Sequence, residues 1–89
     1  MNGTDKQVEF ANDIKAKFNG TMDEHFKSLD SMLESLPEER KQLASGMLES
    51  SKDTVQLINS QTDAKFWIDN KNRLGKHFVE DVRKGEIKL

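Results

Sequence analysis

Val8, Ala11, Ile14 and Phe18 recur at steps of three and four residues with Phe10 beside them, the spacing that gathers side chains on one face of an α-helix. The pattern predicts a first helix from about Asp5 to Phe18. A second, from about Met22 to Glu34, has the clearest stripe: Met22, Phe26, Leu29, Met32/Leu33 and Leu36. The punctuation agrees with two starts. Asn2-Gly3-Thr4 and Asn19-Gly20-Thr21 each end in a Thr followed three residues later by an acceptor, Gln7 or Glu24. That is the capping-box arrangement, in which hydroxyl and later side chain satisfy free N–H groups reciprocally. Gly20 can take the left-handed conformation that ends a helix, so the first two helices are expected to form a hairpin or a sharp corner.

Pro37 marks the next start. Ser35 with Glu38 fits another capping box, a proline in the first turn loses no hydrogen bond, and Glu38 and Glu39 suit the positive end of the helix dipole. Leu43, Ala44, Met47 and Leu48 continue the stripe into Glu49-Ser50-Ser51-Lys52-Asp53, where two readings compete. Ser50 with Asp53 can cap a new helix. Alternatively, Ala44, Leu48, Ser51, Val55, Ile58, Thr62 and Lys65 keep an unbroken four-three spacing that suits one rod through residues 37–70. Ser51, Thr62 and Lys65 are poor seam residues, which favours a break near Ser50. A further helix is expected over about Thr54 to Asn70, and a last one over Lys76 to Lys84 with Phe78, Val79 and Val82 inward and Gly85 as its stop. Phe66, Trp67 and Ile68 are consecutive and cannot share one face. The tail is either frayed or docked by Ile87 and Leu89. No segment alternates as a half-buried strand does. The expected fold is all-α: one domain over residues 1–89, a small bundle of four to five short amphipathic helices.

Composition changes this picture in one respect. Hydrophobic and charged residues are each 34% of 89 residues, so the interior is thin, and a core spread over so many helices is marginal for one copy. Homodimerisation about a two-fold axis is therefore expected to complete the bundle. The absence of cysteine excludes disulfides and thiolate chemistry. There is no apolar run of the roughly 20 residues a membrane span needs and no apolar signal segment, so a soluble, cytoplasmic protein is expected.

Reactive constellations are lacking. Asp5, Glu9 and Asp13, and likewise Asp30, Glu34 and Glu38, are interleaved with lysines and read as solvated faces. His25 and His77 lack the Glu-x-x-His and His-x-x-x-His spacings of helical metal sites. Asn70 to Asp81 has the length of a calcium loop, but Asn70, Leu74 and Lys76 stand where oxygen ligands belong. No glycine-rich phosphate loop or nucleophile elbow occurs. No metal, cofactor or enzymatic activity is expected.

Charge is uneven. Residues 1–64 hold 7 basic and 12 acidic side chains, whereas residues 65–89 hold 7 basic and 4 acidic. Lys65, Lys71, Arg73, Lys76 and His77 beside Trp67 form a candidate contact surface, for a protein or for a nucleic acid whose backbone the cations track and whose bases Trp67 stacks. The expected function is a small non-catalytic helical interaction module, an adaptor, regulator or inhibitor with a protein partner. The alternative is a nucleic-acid-associated regulator acting through residues 65–89.

Overall fold

In the computed structural model, which describes residues 1–89, the chain forms four helices: α1 (Asp5–Glu34), α2 (Glu38–Asn59), α3 (Ala64–Asp69) and α4 (Lys76–Arg83). There is no sheet; a lone bridge joins Asn2 to Asp63. The all-α expectation therefore holds. The helices α1 and α2 make a long antiparallel hairpin, α3 lies against α1 and α4 against α2, in a molecule 50 × 23 × 18 Å in extent. The two short helices both sit at one end of the hairpin, the base. The turn at Ser35-Leu36-Pro37 forms the other end, the tip.

Thr4 opens α1 as its spacing predicts: its hydroxyl accepts from Gln7 N and the Gln7 side chain accepts from Thr4 N. The second Asn-Gly-Thr does not cap anything. Helix α1 runs straight through it, correcting the expectation of two helices meeting at Gly20. The reason is the apolar row itself. Ala11, Ile14, Phe18, Met22, Phe26, Leu29 and Leu33 keep helical spacing across Gly20, and Phe18, Met22 and Phe26 are buried. Burying three large side chains outweighs the ~1 kcal/mol that a mid-helix glycine costs. Asn19 is held in place as well: its Nδ2 donates to Lys15 O and to Asn59 Oδ1, and Asn59 Nδ2 returns a 2.7 Å bond to Asn19 Oδ1. Gly20 is exposed, with open space where a Cβ would stand. Gly20→Ala is accordingly expected to stabilise the protein by about 0.5–1 kcal/mol in chemical denaturation; a turn at this position would give the opposite sign.

Two more boundaries differ from expectation. Ser35 closes α1, its hydroxyl donating to Met32 O at 2.8 Å, while Pro37 caps α2 without any side-chain bond. The break expected near Ser50 is absent, and α2 continues to Asn59. Thr54 Oγ1 donates to Ser50 O within the helix, and Leu48, Val55 and Ile58 bury on one side. Nor does a rod extend to residue 70, because the N-terminal segment cuts in. Asn2 N donates to Thr62 O (2.7 Å) and Asn2 O accepts from Ala64 N (2.9 Å), pulling residues 60–63 out of the helix. Asp63 then caps α3 by accepting from Lys65 N. Gly3, at φ +142° with a built Cβ only 3.0 Å from Ala64 Cβ, has to be glycine for this strap to close.

Gly85, at φ +82°, stops α4 where predicted, and Ile87 packs against the core while Leu89 stays exposed. The interior lies at the base, where Ala11, Phe18, Met22, Phe26, Val55, Ile58, Ala64, Trp67, Phe78 and Val79 are buried. Of the consecutive Phe66-Trp67-Ile68, only Trp67 is buried; its neighbours are half-buried. The base thus buries a core within a single chain. At the tip Met32, Leu43 and Met47 stay exposed, as Phe10 and Leu57 do elsewhere on the hairpin.

Candidate interaction site at the hairpin tip

A helix of 30 residues is about 45 Å long, whereas α3 and α4, with 6 and 8 residues, reach only about 9 and 12 Å. The short helices cannot cover the hairpin from end to end. The result is a tip without an interior: none of the 21 residues from Lys27 to Met47 is buried, although the stretch contains Leu29, Met32, Leu33, Leu36, Leu43, Ala44 and Met47. Met32, Leu43 and Met47 are 63, 71 and 52% exposed. Isolated apolar residues on a surface are ordinary, whereas a contiguous apolar patch makes a candidate binding face.

Between the two helices runs a groove of about 280 Å³, with Leu29, Met32, Leu33 and Leu36 on the α1 side and Ala44, Met47 and Leu48 on the α2 side. Half-buried His25 and Ser51 stand towards the base, and Glu80 of α4 also lines the groove. Glu80 is tied down. Arg83 donates to its Oε2 from Nη2 at 2.6 Å and from Nε at 3.1 Å, and Ser51 Oγ donates to Oε1 at 3.2 Å. The Arg83 guanidinium holds the carboxyl below the usual range against partial desolvation, with the Ser51 hydroxyl adding to the effect. At neutral pH the α4 end of the groove is therefore closed by an ionised, internally paired carboxylate. The groove itself offers hydrocarbon, two thioethers, an imidazole and one hydroxyl, which suit van der Waals docking of another apolar helix face.

The surface expected around Trp67 is assembled differently. Trp67 is wholly buried, against Phe18 (6.0 Å between ring centroids) and Phe66 (5.2 Å), with its indole N–H donating to Gln61 O. It is therefore not a stacking platform, a correction to its place among the contact residues. Lys71 lies over Phe10 at 5.3 Å, and Arg73 lies over Phe78 at 5.2 Å while its Nε donates to Asn70 Oδ1. These cations cover the protein's own rings. Lys65, Lys76 and His77 are exposed. No cavity gathers more than one of the six. His25 and His77 line no common pocket, and no three His, Asp or Glu side chains converge.

The tip residues themselves were visible in the sequence as stripe positions. Their exposure was not, because it depends on how short the covering helices are. Compared with protein-family models, curated proteins and solved structures, the chain matches none. No helix is long and apolar enough to cross a membrane.

Proposed function

We propose that this chain is a small, non-catalytic helical interaction module of the cytoplasm, an adaptor, regulator or inhibitor, whose working surface is the open tip of the hairpin. The observation that carries this reading is the uncovered apolar groove lined by exposed Met32 and Met47, with exposed Leu43 one turn before Met47 on α2. An amphipathic helix seated there would continue at the tip what α4 does at the base, where Phe78 and Val79 are buried. The closed base would hold the tip rigid, which limits the ordering cost of docking.

Site-specific photo-crosslinking tests the proposal. A benzophenone side chain at Leu43 is expected to capture protein in extracts of the native cell, while the same group at Gln56, exposed near the base, captures none. Equal adducts at both positions, or none at Leu43, would overturn it.

A further inference from the structure

We infer that Met32 and Met47 are paired oxidation sites that set the polarity of the tip groove, so that converting their thioethers to sulfoxides switches its docking face off. This concerns the regulation of the face proposed above and rests on that reading.

All the sulfur in the chain is methionine: four Met and no Cys. A cysteine thiolate would take a peroxide first; without one, the thioethers are the sulfur groups that react. Oxidation follows exposure, and the fold divides the methionines sharply. Met22, in the row between Phe18 and Phe26, is 1% exposed, whereas Met32 and Met47 are 63 and 52% exposed. The two exposed ones stand on opposite walls of one groove, Met32 on α1 and Met47 on α2. Met1 is also open, at 39%, but borders a separate depression with Asp5 and Val8. The Trp67 indole, the other readily oxidised group, is sealed. Apart from Met1, oxidation of the folded chain therefore falls on the groove walls.

The step needs only a hydroperoxide. A sulfur lone pair attacks one peroxide oxygen, an S–O bond forms as the O–O bond breaks, and the displaced oxygen takes the peroxide proton and leaves as water or an alcohol. Sulfur gives up two electrons and becomes a sulfoxide. A sulfoxide reductase supplied with a dithiol reverses the change, yielding thioether, disulfide and water. In the groove, two apolar, polarizable side chains become two polar ones. Their neighbours Leu29, Leu33, Leu36, Ala44 and Leu48 carry no side-chain donor for a sulfoxide oxygen, and the Ser51 hydroxyl already donates to Glu80. An apolar helix face docking there would strip water from the sulfoxides without replacing it. The hairpin itself keeps its packing, because neither sulfur belongs to the buried core.

Timed exposure of the folded protein to hydrogen peroxide, followed by peptide mass spectrometry, tests the site. Sulfoxide is expected at Met32 and Met47 at least about tenfold faster than at Met22, with helix content by circular dichroism unchanged. The uncharged dye N-phenyl-1-naphthylamine, fluorescent in apolar surroundings, tests the consequence. Its affinity should fall roughly tenfold on oxidation and recover with reductase and dithiol. The double variant Met32→Leu, Met47→Leu should bind dye equally before and after peroxide, although Met1 still oxidises. The double variant Met32→Gln, Met47→Gln should bind it as the oxidised wild type does. Oxidation of Met22 at the same rate, loss of helix on oxidation, no dye bound by the untreated protein, or an equal loss of dye by the leucine variant would overturn the inference. If the dye responds as expected and Leu43 crosslinks no protein, the oxidation site stands and the docking role falls. If Leu43 crosslinks the same protein equally before and after oxidation, docking stands and the switch falls.

Discussion

Replacing Trp67 with alanine is expected to destabilise the protein by about 3–5 kcal/mol, the range for deleting a fully buried large aromatic. Trp67 has no exposed surface and is the largest of the fully buried side chains. It touches α1 through Phe18, packs edge-on against Phe66, and has Lys15 Nζ 5.7 Å from its ring. Its indole N–H also satisfies Gln61 O in the α2–α3 connection. Truncation thus leaves a cavity and an unpaired carbonyl together. For a domain of this size a loss of that magnitude approaches the whole stability, so urea denaturation should show the variant largely unfolded in dilute buffer. Trp67→Phe keeps most of the volume and loses the hydrogen bond, and should fall well short of that. Equal stability of Trp67→Ala and wild type would mean that the base is not the core of the molecule.

Phe78→Ala should have an effect of similar size, about 3–5 kcal/mol, but with a different local signature. Phe78 and Val79 are the buried residues of α4, and Phe78 meets Phe66 of α3 and lies beneath Arg73. An eight-residue helix is far too short to persist in water without such packing. Hydrogen exchange should therefore accelerate first across residues 76–87, before the α1–α2 pair opens. Uniform acceleration over the whole chain would instead mean that α4 and the hairpin unfold as one unit.

The difference between these variants and the tip variants follows from where apolar groups are buried, and that was only partly legible in the sequence. Helical periodicity is a local property, so the all-α class, the Thr4 cap, the start of α4 and the Gly85 stop could be read directly. The interruptions could not. Asn19-Gly20-Thr21 and Glu49-Ser50-Ser51 have the composition of breaks, yet both lie inside helices because Phe18, Met22 and Phe26 on one strand of the hairpin, and Leu48, Val55 and Ile58 on the other, must keep register to reach the core. The real interruption, at residues 60–63, is imposed by Asn2 from the far end of the chain. The candidate site divides in the same way. Trp67, standing among cations, could be read from the sequence as a core residue or as a recognition residue, and it is sealed because α3 lays it on α1. Met32, Leu43 and Met47 looked like ordinary core positions, and they face solvent because nothing in the chain extends over them.

The paired amides of Asn19 and Asn59 restrict how the hairpin can move. They sit between α1 and α2, each giving and accepting one bond, and Lys15 Nζ adds a third link to Asn59 O at 3.0 Å. Sliding one helix past the other by a turn, about 5.4 Å, would break both amide links, at roughly 0.5–1.5 kcal/mol for each hydrogen bond lost. Axial ratcheting is thus opposed by the two asparagines, which fix the register of α1 on α2 at this level of the hairpin.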